Sequence, residues 1–304
     1  GSRSAAVISA GVMAIVPAHI MRSVGGGYDN ECIAIAAMVL TFYTWVRSVR
    51  SERSWPIGVL AGLAYGYMVA AWGGFIFVLN MVAVHAAVLS VIHLISNQYS
   101  AGLHRAYTLF YVIGSSIAVC VPPVGLSPFK SLEQLLALVV FVFIQALYFV
   151  DKQRWPANCK PLSPSGILIL LRTFAIAVAA LAAISFVLTP TGFFGPLSSR
   201  VRGLFVKHTR TPLGEHLRHR LVVGRSRLRD TVMDVTSMYA WQVGSGLYTF
   251  ILFFGGRRYR AGASFMLAYS CAVYYFALRM ARLIILSIRS YRFLLRRRRS
   301  WRLH

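Results

Sequence analysis

The chain has 304 residues, 57% of them hydrophobic and only 13% charged, with a mean hydropathy of +0.63, which leaves too little polar surface to dress a soluble globule. Thirty-two Lys and Arg against eight Asp and Glu give a net charge of +24. In a soluble chain that excess would suggest nucleic acid, but here it is crowded into short loops and two Arg-rich segments, so membrane lipid and lipid phosphate are the expected partners and nucleic acid is not.

A hydrocarbon core about 30 Å thick takes about 20 mostly apolar residues per helical crossing. In chain order, apolar runs and breakers place the first crossing at Ala5 to Met21. It has no basic leader with a clean cleavage site, and Pro17 and His19 interrupt its far end, so it reads as a span, whole or truncated. The short acidic loop Tyr28-Asp29-Asn30-Glu31 follows. Then come Cys32 to Val46, Ile57 to Trp72, Phe75 to Ile95, Ala106 to Val121, Leu132 to Val150, Ile167 to Leu188, Val232 to Phe254 and Ala261 to Ser287. The run from Pro56 to Ile95 is too long for one crossing, and Trp72-Gly73-Gly74 is the place to turn. The expected fold is all-α, a polytopic transmembrane bundle of about nine helices.

Short-loop Lys and Arg stay on the cytoplasmic side. Arg47, Arg50 and Arg53, then Arg105, then Lys152, Arg154 and Lys160, then Arg257, Arg258 and Arg260 all land on one face of this topology. The opposite face receives Asp29 and Glu31, the Trp72-Gly73-Gly74 turn, the loop with Lys130 and a long loop at about 189–231. Two segments break the pattern: Leu217 to Arg229, and the tail 288–304 with Arg296 to Arg299. A long loop can escape the positive-inside rule, whereas an Arg-rich tail on the exported face is unexpected.

Asp29 and Glu31 stand two residues apart, which puts both carboxylates on one side of an extended segment. Gly25-Gly26-Gly27 just before them lets the backbone bend tightly. Two oxygen donors so placed suit a hard divalent cation such as Mg²⁺ or Mn²⁺; they equally suit the solvated start of the next helix, whose dipole favours acids. Arg279 and Arg282 fall one turn apart in the last apolar helix, where a guanidinium either meets an anion such as a lipid phosphate or snorkels to the interface. Trp72-Gly73-Gly74 reads as a tight turn with an aromatic anchor. Glu215-His216 in the long loop could add to a metal site, while His85 and His93 read as packed or interfacial. Cys32, Cys120, Cys159 and Cys271 show no paired spacing, so neither a zinc site nor a disulfide framework is expected.

Three strings taken together, Arg22-Ser23-Val24-Gly25-Gly26-Gly27-Tyr28-Asp29-Asn30-Glu31, Tyr67-Met68-Val69-Ala70-Ala71-Trp72-Gly73-Gly74 and Arg279-Met280-Ala281-Arg282-Leu283, resemble the catalytic subunit of oligosaccharyltransferase, with the flavour of the protozoan single-subunit enzymes. The first string resembles the family's second acidic motif almost residue for residue. The resemblance implies a lipid-sugar glycosyltransferase-type membrane domain in the endoplasmic reticulum membrane, its acidic loop lumenal. Such an enzyme moves an oligosaccharide from a dolichyl diphosphate carrier to the Asn amide of Asn-x-Ser/Thr sequons in an acceptor polypeptide, with few or no accessory subunits. It implies Asp29 and Glu31 as ligands of Mn²⁺ or Mg²⁺, Arg282 at the lipid diphosphate and Arg22 in support. Glu215 would stand for a third metal-binding acid, although its neighbours Pro212-Leu213-Gly214-Glu215-His216 depart from the family's Ser-Val-Ser/Ala-Glu-His-Gln-Pro.

The similarity runs from about the N-terminus to Arg210 and resumes from about Tyr248 to Ser287. The family's first acidic motif and its C-terminal Trp-Trp-Asp-Tyr-Gly signature are not in this sequence. The expectation is thus a partial catalytic domain over 1–287, a non-family tail over 288–304, and a chain inactive by itself. Out-of-frame translation of a GC-rich gene would account for both basic segments. The alternatives are another polyprenyl-phosphate-sugar glycosyltransferase or an inactive membrane remnant. A transporter is disfavoured, because no pair of broken helices with midplane charges repeats.

Overall fold

A computed structural model describes residues 30–96, 99–157 and 261–279, with scattered helical residues within 7–14 and 168–183. The chain divides into two compact units, 29–197 and 1–28 with 198–304. Among the described residues every element is helical. Unit 29–197 holds α1 (Glu31–Ser48), a 3-10 turn (Glu52–Ser54), α2 (Ile57–Ala71), α3 (Phe75–Ile95), α4 (Ala101–Cys120), the single-turn α5 (Ser127–Lys130) and α6 (Leu132–Ala157); the other unit holds α7 (Ala261–Arg279).

Six of the nine expected crossings meet these helices. Those at Ala5 to Met21, Ile167 to Leu188 and Val232 to Phe254 lie wholly or largely outside the described residues. The helix over Phe75–Ile95 runs as the pattern predicts, but α4 begins five residues ahead of the expected Ala106 and α6 runs seven beyond the expected Val150. The extra turns carry His104 and Arg105 on α4 and Asp151 to Arg154 on α6, charged and polar residues that take the helices past the apolar slab that hydropathy detects. Two helices, Phe75–Ile95 and Glu133–Gln153 within α6, are long and apolar enough to cross a membrane. At 15 residues α2 is about 22 Å long, short of a full hydrocarbon core.

Helices in lipid gain little from hydrophobic burial against one another and associate through close van der Waals packing at small residues. Gly58, Gly62 and Gly66 recur every fourth residue along one face of α2, and α4 lies in that face. A methyl at Gly58 would come within 2.7 Å of the Ala106 carbonyl oxygen, and one at Gly66 within 2.7 Å of Ile117. Gly114 is the reciprocal notch on α4, where an added methyl would strike the Tyr65 ring at 2.6 Å. Partners rise together in number, Gly58 with Ala106 and Gly66 with Ile117, so α2 and α4 run parallel. The chain thus alternates direction, with α1, α3 and α6 running opposite to α2 and α4.

Polar groups inside the bundle are tied across helices. The Trp45 indole N–H of α1 donates to His85 Nδ1 of α3 at 3.0 Å, with both residues fully buried. Trp45 also packs against Tyr107 and Phe110 of α4, at centroid distances of 6.0 and 5.8 Å. Between α4 and α6, Tyr107 Oη donates to the Ala137 carbonyl at 2.9 Å, and Gln145 bridges His104 (3.0 Å) and Thr108 (2.8 Å). His85 is packed, as its apolar surroundings in the sequence predict.

The indole donor fixes the rotation of α1 against α3. Trp45→Phe keeps an aromatic ring but removes the N–H, and is expected to lower stability by about 0.6–1.7 kcal/mol, the range measured for hydrogen bonds between membrane helices. Reversible unfolding in mixed micelles reads this directly; an unchanged midpoint would mean that the bond contributes nothing.

Candidate functional site

The first turn of α1 carries the one expected site acid that the described residues include. Asn30 is the N-cap, its carbonyl accepting from Ala34 N–H at 3.0 Å, while its side chain makes no capping bond. Glu31 is the first helical residue and half-buried. A carboxylate here is favoured by the unpaired amides and dipole of the helix start. The local sequence makes this geometry: glycines precede the acids, and an uninterrupted apolar run follows them.

Because α1 and α2 are sequential neighbours packed side by side, the start of α1 and the end of α2 lie at the same end of the bundle. That end of α2 is the Trp72-Gly73-Gly74 turn. Trp72 leaves the helix in extended conformation (φ −156°, ψ 136°) while its N–H still donates to the Met68 carbonyl. Its ring folds back over Gly74, where a Cβ would stand 2.1 Å from Trp72 Cζ3. A glycine at 74 is therefore a requirement of the ring's position. At the same end, Asn80 Nδ2 of α3 donates to the Glu133 carbonyl at the start of α6 at 2.8 Å, which holds the α3 and α6 ends together.

Asp29, Arg22, Glu215 and Arg282 lie outside the described residues, and Arg279 is the last residue of α7 in the other unit. Among the described residues no group of three or more His, Cys, Asp or Glu is arranged to hold a metal ion. Cys32, Cys120 and Cys271 are in no disulfide among the described residues. What stands together is Glu31 and Asn30 at the mouth of α1, on the end of the bundle that the tryptophan-covered turn closes.

Sequence reasoning missed the opposite, basic end. There Glu52, from the 3-10 turn after α1, accepts hydrogen bonds from Ser100 Oγ and from the Gly102 amide at the start of α4. The Arg105 guanidinium lies 5.5 Å from the centre of the Trp55 ring. These partners are about 50 residues apart in sequence, so no local motif announces them.

The family model described as "Oligosaccharyl transferase STT3, N-terminal" matches residues 1–291. The subunit stt3 of dolichyl-diphosphooligosaccharide–protein glycosyltransferase from Schizosaccharomyces pombe is 36% identical over 205 residues, covering 67% of this chain and 26% of its own length. The Arabidopsis thaliana subunit STT3B is 32% identical over 284 residues, covering 93% of this chain and 37% of its own. This chain therefore spans between a quarter and two fifths of these relatives. Among solved structures, the archaeal oligosaccharyltransferase AglB from Archaeoglobus fulgidus, in complex with an inhibitory peptide and a dolichol-phosphate, superposes with a TM-score of 0.61 at 19% identity, over 96% of this chain and 36% of AglB. That likeness establishes a shared fold. With the family match running over 291 of the 304 residues, the chain belongs to the oligosaccharyltransferase STT3 family.

Proposed function

We propose that this chain is the membrane-embedded part of an oligosaccharyltransferase catalytic subunit, handling the dolichyl-diphosphate oligosaccharide for transfer to Asn in Asn-x-Ser/Thr. The observation that carries this reading is the STT3 match from residue 1 to 291, which includes the Asp29–Glu31 loop. The AglB complex, which holds a peptide and a dolichol-phosphate, supports both substrate classes. By family and by loop charge the site faces the lumen of the endoplasmic reticulum, and the nine-crossing topology belongs to the same proposal.

In the proposed reaction the Asn side-chain nitrogen attacks the anomeric carbon of the sugar. The new C–N bond forms as the C–O bond to the diphosphate breaks, with inversion. Dolichyl diphosphate leaves with the bonding electron pair, and the amide nitrogen gives up a proton to water. An amide nitrogen is a poor nucleophile, because its lone pair is delocalised into the carbonyl. In this reading Asp29 and Glu31 would draw on the amide N–H bonds, and Arg282 would be the cation for the departing diphosphate.

A divalent cation fits the donor set at the mouth of α1: a half-buried carboxylate at Glu31 beside an amide oxygen at Asn30 that no capping bond uses. When bound there, Mn²⁺ or Mg²⁺ would supply Lewis-acid stabilisation of the charge building on the diphosphate. Asp29, Glu31 and, from the long loop, Glu215 would hold it. Arg22 would support the loop.

The test is retention of lipid on the purified full chain. A dolichyl diphosphate analogue is expected to bind at least about tenfold more tightly with Mn²⁺ than with EDTA, with Arg282→Ala removing most of the preference over dolichyl monophosphate. Equal binding of the diphosphate and monophosphate lipids, with or without the cation, would sink the proposal.

A further inference from the structure

A cavity of about 40 Å³ opens at the basic end of unit 29–197, between the last turns of α3, the start of α4 and the end of α6. Its polar lining is Ser90, His93, Tyr99, Ser100, His104 and Asp151, over an aliphatic floor. The room corresponds to about three waters. His93 and Asp151 stand two residues before the ends of the apolar spans Phe75–Ile95 and Glu133–Gln153, so the cavity sits where a bilayer would place its headgroups.

The charge at this cavity runs against the rest of the molecule. Only eight acids offset thirty-two basic residues, and just four of the eight are among the described residues: Glu31, Glu52, Glu133 and Asp151. Two of those four converge here. Asp151 lines the cavity, and Glu52 is held beside it by Ser100 and the start of α4. Tyr99 Oη is buried with no hydrogen-bond partner among the described residues. Burial, followed by the charge of Asp151, holds the Tyr99 phenol above its ordinary pKa; Arg105 opposes this, and Glu52 adds to it. A cation entering here would meet the Asp151 carboxylate in the lining, with Glu52 behind it and Arg105 as the opposing charge.

The lining also selects among cations. Gln145 donates to Thr108, which presents its Oε1 to His104 Nε2 and leaves His104 Nδ1 as an acceptor in the neutral ring. A carboxylate, a phenol oxygen and an imidazole nitrogen are acceptors suited to the three N–H bonds of a primary ammonium. A quaternary ammonium has no N–H to offer and needs open aromatic faces. Tyr148 is already engaged by the His104 ring, stacked at 4.6 Å, and by Lys152 Nζ at 5.6 Å.

We propose that the Tyr99–His104–Asp151 cavity is a binding site for a primary ammonium, the headgroup of an aminophospholipid such as phosphatidylethanolamine. The site lies at the end of the bundle opposite Glu31 and does not depend on the proposed catalysis.

The experiment is native mass spectrometry of the full chain, released from detergent with equal amounts of dioleoyl-phosphatidylethanolamine, -phosphatidylcholine and -phosphatidylglycerol. Ethanolamine lipid should be retained about tenfold over either competitor. Dissolved ethanolamine should displace it, whereas glycerol should not. Asp151→Asn should erase the preference; Tyr99→Phe, which removes only a hydroxyl, should weaken it severalfold and keeps the test valid if the first variant fails to fold. Preference for phosphatidylglycerol would overturn the proposal in favour of an anion site. Equal retention of all three lipids, or a preference that survives both substitutions, would overturn it in favour of a water-filled notch.

Discussion

Gly58→Ala should destabilise the membrane bundle, even though alanine is the better helix former by about 1 kcal/mol. The added methyl would stand 2.7 Å from the Ala106 carbonyl oxygen and 3.1 Å from its Cα. Both are backbone atoms, so relief requires moving α4 away from α2. Overpacking of this kind typically costs about 1–3 kcal/mol, which outweighs the gain in propensity. Gly58→Leu should separate the two helices outright, because close packing at the glycine seam is the main attraction between α2 and α4. Gly66→Ala meets Ile117 side-chain atoms at a similar 2.7 Å, but a side chain can rotate, so its cost should be smaller. Gly11, where an added methyl meets nothing within 4 Å, is the control and should be neutral or stabilising as alanine. Unfolding midpoints in mixed micelles give the order directly: Gly11→Ala at or above the parent, then Gly66→Ala, then Gly58→Ala. If Gly58→Ala matched the Gly11 control, the glycine seam would not be what joins α2 to α4.

That seam shows which parts of the structure are legible in sequence. Helix α3 is readable to the residue because a Trp-Gly-Gly breaker precedes it and its run of apolar residues is unbroken. The start of α4 and the end of α6 are not, because hydropathy reports the apolar slab while the helices continue into polar surroundings. Ser100 caps α4, its Oγ accepting from Leu103 N–H at 3.2 Å, and His104 finds Gln145 41 residues away. With those partners the polar turn is stable as helix; without them it reads as loop. The repeat of glycine at 58, 62 and 66 is visible in the sequence, but only the fold shows that α4 occupies it.

The site divides in the same way. Glu31 is legible because its chemistry is local: glycines, two acids two residues apart, then a helix. The Glu52 tie and the ammonium cavity depend on residues brought together from 52 to 151, and no spacing rule reports them. The expectation that Asp29 and Glu31 form part of a metal site cannot be read from either residue alone. It depends on whether their carboxylates converge with a third group.

Glu31→Gln, made together with Asp29→Asn, should therefore weaken Mn²⁺ binding by about 100-fold or more. Loss of even an outer partner of a metal ligand commonly costs 10–100-fold, and this double change removes two charged donors while keeping size and hydrogen-bonding capacity. Titration of the purified chain followed by the electron paramagnetic resonance of free Mn²⁺ measures it. The same change has a consequence for stability. Mn²⁺ at about 100 times its Kd should add about 2.7 kcal/mol to the parent chain. At the same concentration a variant 100-fold weaker would gain only about 0.4 kcal/mol by the same relation. Without metal the two proteins should unfold alike, or the variant slightly earlier, because acids at the start of α1 also interact with its dipole. Glu133→Gln, at the same end of the bundle but outside the proposed ligand set, should leave the Mn²⁺ affinity unchanged. The comparison separates the two readings of the loop. If Asp29 and Glu31 only begin a helix, the variant loses a few tenths of a kcal/mol with or without Mn²⁺; if they hold the cation, the difference between the proteins appears only when it is present.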